Sequence, residues 1–148
     1  SGGAVVVGSR RMDKAEEACR KLVERGVASS LLTPLASDDP IALEGMLQNV
    51  EVIISCGAAG AELLTAEQLH HAKQTQVAID LNAVPPAGLH GISVTDHAVR
   101  RDNRIDYGAL GVGGLKMKIH KASIREMFTD NRQFIDAQRM MEIGRNLL

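Results

Sequence analysis

The chain has 148 residues, enough for one domain with a real core, and 45% hydrophobic against 2% aromatic content makes that core aliphatic. Lysine and arginine, 17 together, nearly cancel 18 aspartates and glutamates, and a net charge of −1 argues against a nucleic-acid or membrane-surface protein. No apolar run approaches ~20 residues and no basic-then-apolar start marks a signal peptide. Cys19 and Cys56 are too few for a disulfide framework and lack metal-site spacing, so no metal is expected and a reducing cytoplasm is the default location.

Ala4-Val5-Val6-Val7-Gly8 is a short β-branched run, the pattern of a strand buried on both faces. A helix is expected from Asp13, with Glu16 completing a capping box and Ala15, Ala18, Cys19, Leu22 and Val23 on its apolar face. Ser29–Thr33 is a weaker strand. Asp39-Pro40 reads as an N-cap followed by proline at the first helical position, with Leu43, Met46 and Leu47 as the buried stripe. Val50–Ser55 is the next strand, running into Cys56-Gly57-Ala58-Ala59-Gly60. Thr65 and Gln68 form a capping pair and Leu64 with Leu69 a hydrophobic staple, so a short helix is expected to start there, and Val77–Leu81 is a further strand stopped by Pro85-Pro86.

Strand–helix alternation at this spacing predicts an α/β fold, a Rossmann-like parallel sheet with helices on its faces. After Pro86 the alternation weakens, and residues 87–106 read as a mixed connection with one short strand at Ile92–Val94. A helix over roughly Leu115–Phe128 carries two apolar rows, Leu115, Ile119 and Ala122 on one side and Met117, Ile124, Met127 and Phe128 on the other. Such a helix is expected to be covered twice, as at a domain or subunit contact, and the full-length protein is expected to be a homo-oligomer. A last helix from Asp136 should bury Ala137, Met140, Met141, Gly144, Leu147 and Leu148, with Ile135 stapling Met140.

Tyr107-Gly108-Ala109-Leu110-Gly111-Val112-Gly113-Gly114-Leu115-Lys116 packs glycines densely before that helix. Residues without a Cβ let backbone approach a ligand closely, and a helix start offers unpaired N–H groups to an anion. Neither phosphate-loop pattern fits: one would need glycine at Lys116, the other lysine at Gly114. The alternative is a crossing point between two packed elements.

Open parallel sheets bind ligands outside the carboxyl ends of their strands. Here those ends read Ser9-Arg10-Arg11, Cys56-Gly57-Ala58 and Asp80-Leu81-Asn82. Ser9, Arg10 and Arg11 offer a hydroxyl and two guanidinium forks to a phosphate, the alternative being a solvated arginine pair before a helix. Lys116, His120 and Ser123 share one helical line beside the glycine loop, either facing a substrate or forming a solvated stripe. His90 and His97 lie in connecting segments without ligand spacing. No Ser-His-Asp or Cys-His arrangement names a catalytic residue. A dinucleotide fold opens with a strand, a G-x-G-x-x-G turn and a helix; this chain opens Ser1-Gly2-Gly3, so that turn is expected upstream of Ser1.

Four motifs in order, Ser9–Ala15, Cys56–Leu64, Asn82–Gly88 and Tyr107–Lys121, resemble the NAD(P)-binding domain of methylene-tetrahydromethanopterin dehydrogenases, which are related to methylene-tetrahydrofolate dehydrogenases. The likeness runs from about Ala4 to Leu148. It implies hydride transfer from a methylene-pterin, or the folate counterpart, to NADP (NAD being the second possible cofactor), as in formaldehyde oxidation. It also implies that Ser9, Arg10 and Arg11 hold the adenosine 2′-phosphate, and that Cys56, Gly57, Ala58 and Asn82 line the path to the nicotinamide. Gly113 is assigned to the cofactor and Lys116 to the reduced pterin or folate. By the same resemblance, residues 1–148 form the NADP-binding domain, a separate N-terminal domain shares the pterin site, and this chain alone is inactive. The alternative is a non-catalytic NADP-binding or regulatory module.

Overall fold

A computed structural model describes residues 2–130 and 132–147. They form two compact units, one running to Glu51 and including Glu67–Thr75, the other comprising Val52–Ala66 and Gln76 onward.

In the first unit, β1 (Val5–Ser9) and β2 (Leu32–Ala36) pair in parallel, with Val5 opposite Leu32 and Ser9 opposite Ala36. Helix α1 (Met12–Glu24) packs on both strands and buries Ala15 and Cys19, so Cys19 is a core residue. Asp13 is not the cap: Arg11 takes the N-cap position with no side-chain cap bond, and Asp13 pairs with it instead. β2 starts three residues later than its composition suggests, because Ser29–Leu31 wind into a 3-10 turn. The strand then continues through Pro34. Among the described residues β2 pairs only with β1, and a strand with a free side tolerates a residue lacking an N–H. Helix α2 (Pro40–Leu47) is capped as expected, the Asp39 carboxylate accepting from Ile41 N at 3.0 Å and Ala42 N at 3.1 Å. Helix α3 (Ala66–His71), from Glu67 on, also belongs to this unit, where His71 Nδ1 meets Glu44 3.1 Å away.

The second unit is a four-stranded sheet in the order β3 (Val52–Ser55), β4 (Val77–Asp80), β6 (Arg104–Tyr107), β5 (Val99–Arg101). β3, β4 and β6 run parallel, while β5 turns back on β6 as an antiparallel hairpin. This hairpin replaces the strand expected at Ile92–Val94, which is turn and coil. Its composition concealed it. Arg101, Arg104 and Asp106 occupy positions where apolar side chains usually mark a strand, and they neutralise one another: Asp106, 0% exposed, accepts from Arg104 Nε at 2.6 Å and Arg101 Nη1 at 3.1 Å. Parallel-dominated sheets with intervening helices make the fold α/β and Rossmann-like, as expected.

Helix α4 (Gly113–Met127) starts two residues earlier than expected, and of its two apolar rows only Ile119 and Ala122 are covered, Leu115 being exposed. Ser123 is buried, with Ile119, Ala122 and Glu126 half-buried beside it, whereas Met117, Ile124, Met127 and Phe128 stay exposed. Helix α5 (Ala137–Arg145), capped by Asp136, packs on α4. Its buried face is rotated from the expected one, centring on Ile143 and Gly144 with Met140, while Met141 and Leu147 are exposed and Leu148 lies outside the described residues. The rotation follows from Gly144, where the missing side chain admits Ile119 of α4. An ion pair at 2.6 Å between Arg139 and Glu126 fastens the two helices at their rim. Among the described residues no helix is long and apolar enough to cross a membrane.

Removing one partner of a buried charge cluster leaves the others uncompensated. Asp106→Ala is therefore expected to lower stability by about 3–5 kcal/mol in urea titrations of the folded protein.

Candidate functional site

The register of the second unit brings three strand ends to one edge, with Ser55 opposite Asp80 and Ile79 opposite Tyr107. From that edge leave the Cys56–Gly60 run, the Leu81–Gly88 loop and the glycine-rich loop before α4. Each is shaped by a polar anchor. The Asp80 carboxylate, 1% exposed, accepts from Asn82 N and Leu89 N, both at 3.0 Å, so both ends of the intervening loop are tied to the strand end. Within that loop the Pro85–Pro86 peptide is cis. Asn82 is buried, and its Nδ2 donates to Ala58 O at 3.3 Å. That bond brings two of the sequence-predicted segments together: Asn82 and the exposed run Cys56, Gly57 and Ala58. Gly88 passes so close beneath that a Cβ there would strike Ser55 Oγ and Asp80 Oδ1. Ser55 Oγ itself is buried and has no hydrogen-bond partner.

The glycine loop divides into two halves with different causes. A Cβ on Gly108 would collide with the backbone of Ser93 and Val94, and one on Gly111 with the carbonyl of Asp96. These two glycines serve a crossing of backbone over backbone, held by Gly108 N donating to Asp96 O at 2.9 Å and Leu110 N to Val94 O at 2.8 Å. Gly113 and Gly114, in the first turn of α4, have nothing within 4 Å of a would-be Cβ. Packing against the described residues does not require them to be glycine. Lys116, one turn further, is exposed together with His120. Ser123 is not on that solvated line: it is buried and donates to Ile119 O at 2.9 Å.

The crossing is braced by charge. Asp96 Oδ2 accepts from Ser93 N at 2.8 Å and pairs with Arg101 Nη1 at 2.8 Å, and the same guanidinium reaches Asp106 in β6. Burial pushes the Asp96 carboxyl up, but the bonds from Arg101 and Ser93 outweigh it and hold the group below its ordinary value of 3.8. Asp80, Asp96, Asp106 and Arg101 were not singled out from the sequence. The available signal was a carboxylate closing an apolar strand, as in Val77-Ala78-Ile79-Asp80, where a lone acid must find buried donors.

In the first unit, Ser9, Arg10 and Arg11 stand at the carboxyl end of β1, as expected. Their states differ. The Arg11 guanidinium is engaged by Asp13, at 2.9 Å and 2.5 Å, which raises the arginine and lowers the carboxyl from their ordinary values. Arg10 is exposed and makes no ion pair among the described residues. Among those residues no cluster of three or more His, Cys, Asp or Glu could hold a metal.

The Rossmann-like α/β chain gathers its loops at the carboxyl edge of a parallel sheet, where folds of this architecture commonly place a ligand. No protein-family model matches it. It is 29% identical over 146 residues, 99% of its length, to the bifunctional protein MdtA of Methylorubrum extorquens. Over 90 residues, 60% of its length, it is 40% identical to the NAD(P)-dependent methylenetetrahydromethanopterin dehydrogenase of the same organism. The chain spans 50% of the first relative and 30% of the second. The relation inferred from the four sequence motifs is thus shown by similarity to a protein of that name.

A carboxylate lowered in the folded state contributes stability above its unfolded pKa and loses it as pH falls through the folded value. Asp96→Asn is expected to be less stable than the native chain at pH 7. The gap should close as pH drops below the ordinary 3.8, read from thermal midpoints across an acid series.

Proposed function

We propose that the chain is the NADP-binding part of an oxidoreductase that transfers a hydride from methylene-tetrahydromethanopterin, or methylene-tetrahydrofolate, to NADP in one-carbon oxidation. The observation that carries this reading is similarity along 99% of the chain to one bacterial relative, joined by the named dehydrogenase over 60% of it. One feature of the chain's own residues fits a dinucleotide: the first turn of α4 at Gly113 and Gly114 is open where side chains would otherwise stand.

When bound, the nicotinamide ring supplies the hydride acceptor. The protein's part is then positioning, since neither reactant needs a side chain to form the bond. In the first unit Arg10, with Ser9, binds the 2′-phosphate, and Arg11 joins it by exchanging Asp13 for the phosphate. An exposed pair of this kind is weak enough to open for a dianion. In the second unit Cys56, Gly57 and Ala58, tied down by Asn82, offer a smooth backbone surface to the nicotinamide half, and Gly113 lets it approach α4. Lys116 faces the reduced pterin or folate. The activity belongs to the full-length protein, whose further domain completes the pterin site. The uncovered row of α4, Met117, Ile124, Met127 and Phe128, supports its assembly as a homo-oligomer.

The test uses the full-length protein. Arg10→Ala is expected to raise the Kd for NADP about ten- to a hundredfold, the loss of one charge-assisted hydrogen bond, and to leave NAD nearly unchanged. Arg11→Ala should do less, because Asp13 already competes for its guanidinium. Equal losses for both cofactors would remove the arginines from the 2′-phosphate, and no dinucleotide binding by the native protein would overturn the reading.

A further inference from the structure

His97 lies in a connecting segment with no metal partner and no catalytic neighbour, and nothing in its sequence context gives it a role. In the folded chain its Nδ1 is 2.8 Å from the carbonyl oxygen of Gly111. A carbonyl only accepts, so the imidazole must carry a proton on Nδ1, whether neutral or charged. The same ring meets Tyr107 in a T-shaped contact, with centroids 5.8 Å apart at 83°. His97 therefore touches both ends of the glycine loop, Tyr107 where it leaves β6 and Gly111 just before α4.

Two further observations show that this corner is held against its own preferences. Ala98, the next residue, has φ +55°, a left-handed conformation that a side chain disfavours and that persists only where surrounding contacts impose it. And the segment preceding His97 is the one whose backbone Gly108 and Gly111 approach too closely for any Cβ. The backbone bonds from Gly108 and Leu110 fix the start of the loop. His97 supplies the side-chain bond to Gly111, two residues before α4 begins.

We infer that His97 is a positioning residue, a latch that joins the Ser93–His97 turn to the Gly111 carbonyl and so sets where the open first turn of α4 stands. Its effect on a bound dinucleotide rests on the function proposed above; its effect on the loop does not. Because the latch holds the loop and not a phosphate, it acts on NADP and NAD alike, unlike Arg10.

The experiment compares His97→Ala, His97→Asn and His97→Gln in the full-length protein. Asparagine places an amide N–H the same number of bonds from Cβ as Nδ1, whereas glutamine carries its amide one bond further out. His97 is exposed, so the variants are expected to fold with unchanged thermal midpoints. Hydrogen exchange at Leu110 and Gly113 should quicken about three- to tenfold in the alanine and glutamine variants and return towards native in the asparagine variant. The Kd for NADP and for NAD should rise by a similar, common factor and be rescued in the same order. Unchanged exchange in His97→Ala, or an asparagine variant as loose as alanine, would overturn the latch. Loosened exchange with unaltered dinucleotide affinity would uphold the latch and count against the cofactor reading alone.

Discussion

A carboxylate taken out of water costs several kcal/mol unless donors meet it, and the second unit is built around that requirement. Among the described residues Asp80 and Asp106 are its fully buried acids, 1% and 0% exposed. Asp80 is satisfied by backbone N–H groups on either side of the Leu81–Gly88 loop, so the loop closes over the strand end. Asp106 is satisfied by guanidinium groups from its own strand and its hairpin partner, and Arg101 passes the connection on to Asp96. The loops at the sheet edge take their positions from these acids.

The glycine-rich stretch shows how one composition can serve two ends. Gly108 and Gly111 are dictated by backbone crossing, where any side chain would collide with a main-chain atom. Gly113 and Gly114 face open space, with no described residue within 4 Å of a would-be Cβ. Residues that packing leaves unexplained are the candidates for function, and the second pair is of that kind. The same reasoning separates the two arginines after β1. Arg11 has a partner that accounts for its charge, and Arg10 has none among the described residues.

Helices α4 and α5 illustrate the limits of periodicity. The sequence of α4 offers two apolar rows of similar strength, and either could face a neighbour. Gly144 decides between them, because only where α5 lacks a side chain can Ile119 reach its axis. Arg139 and Glu126 then fix the register at the rim. The helix–helix contact is thus set by a void and an ion pair, neither of which appears in a hydrophobic pattern.

Much of the architecture was legible in the residues. Val5–Val7, Val52–Ile54 and Val77–Ile79 mark strands because β-branched residues favour extended backbone, although Val5 and Val6 are exposed and the first strand is not buried on both faces as expected; Asp39-Pro40 marks a helix start because its chemistry is local. The four motifs carried the kinship for the same reason, each being a short contiguous string. The β5–β6 hairpin, the 3-10 turn before β2 and the Ser123 burial were not legible, since each depends on which distant groups arrive beside it. Asp106 reads as a surface acid until Arg101 folds back to meet it, and His97 reads as a loop residue until Gly111 arrives within hydrogen-bond distance. Strand periodicity, caps and motif order were determined by the sequence itself, because they depend on neighbours along the chain. Tertiary structure alone decided which charges are buried together and which glycines are left open, because those depend on neighbours in space.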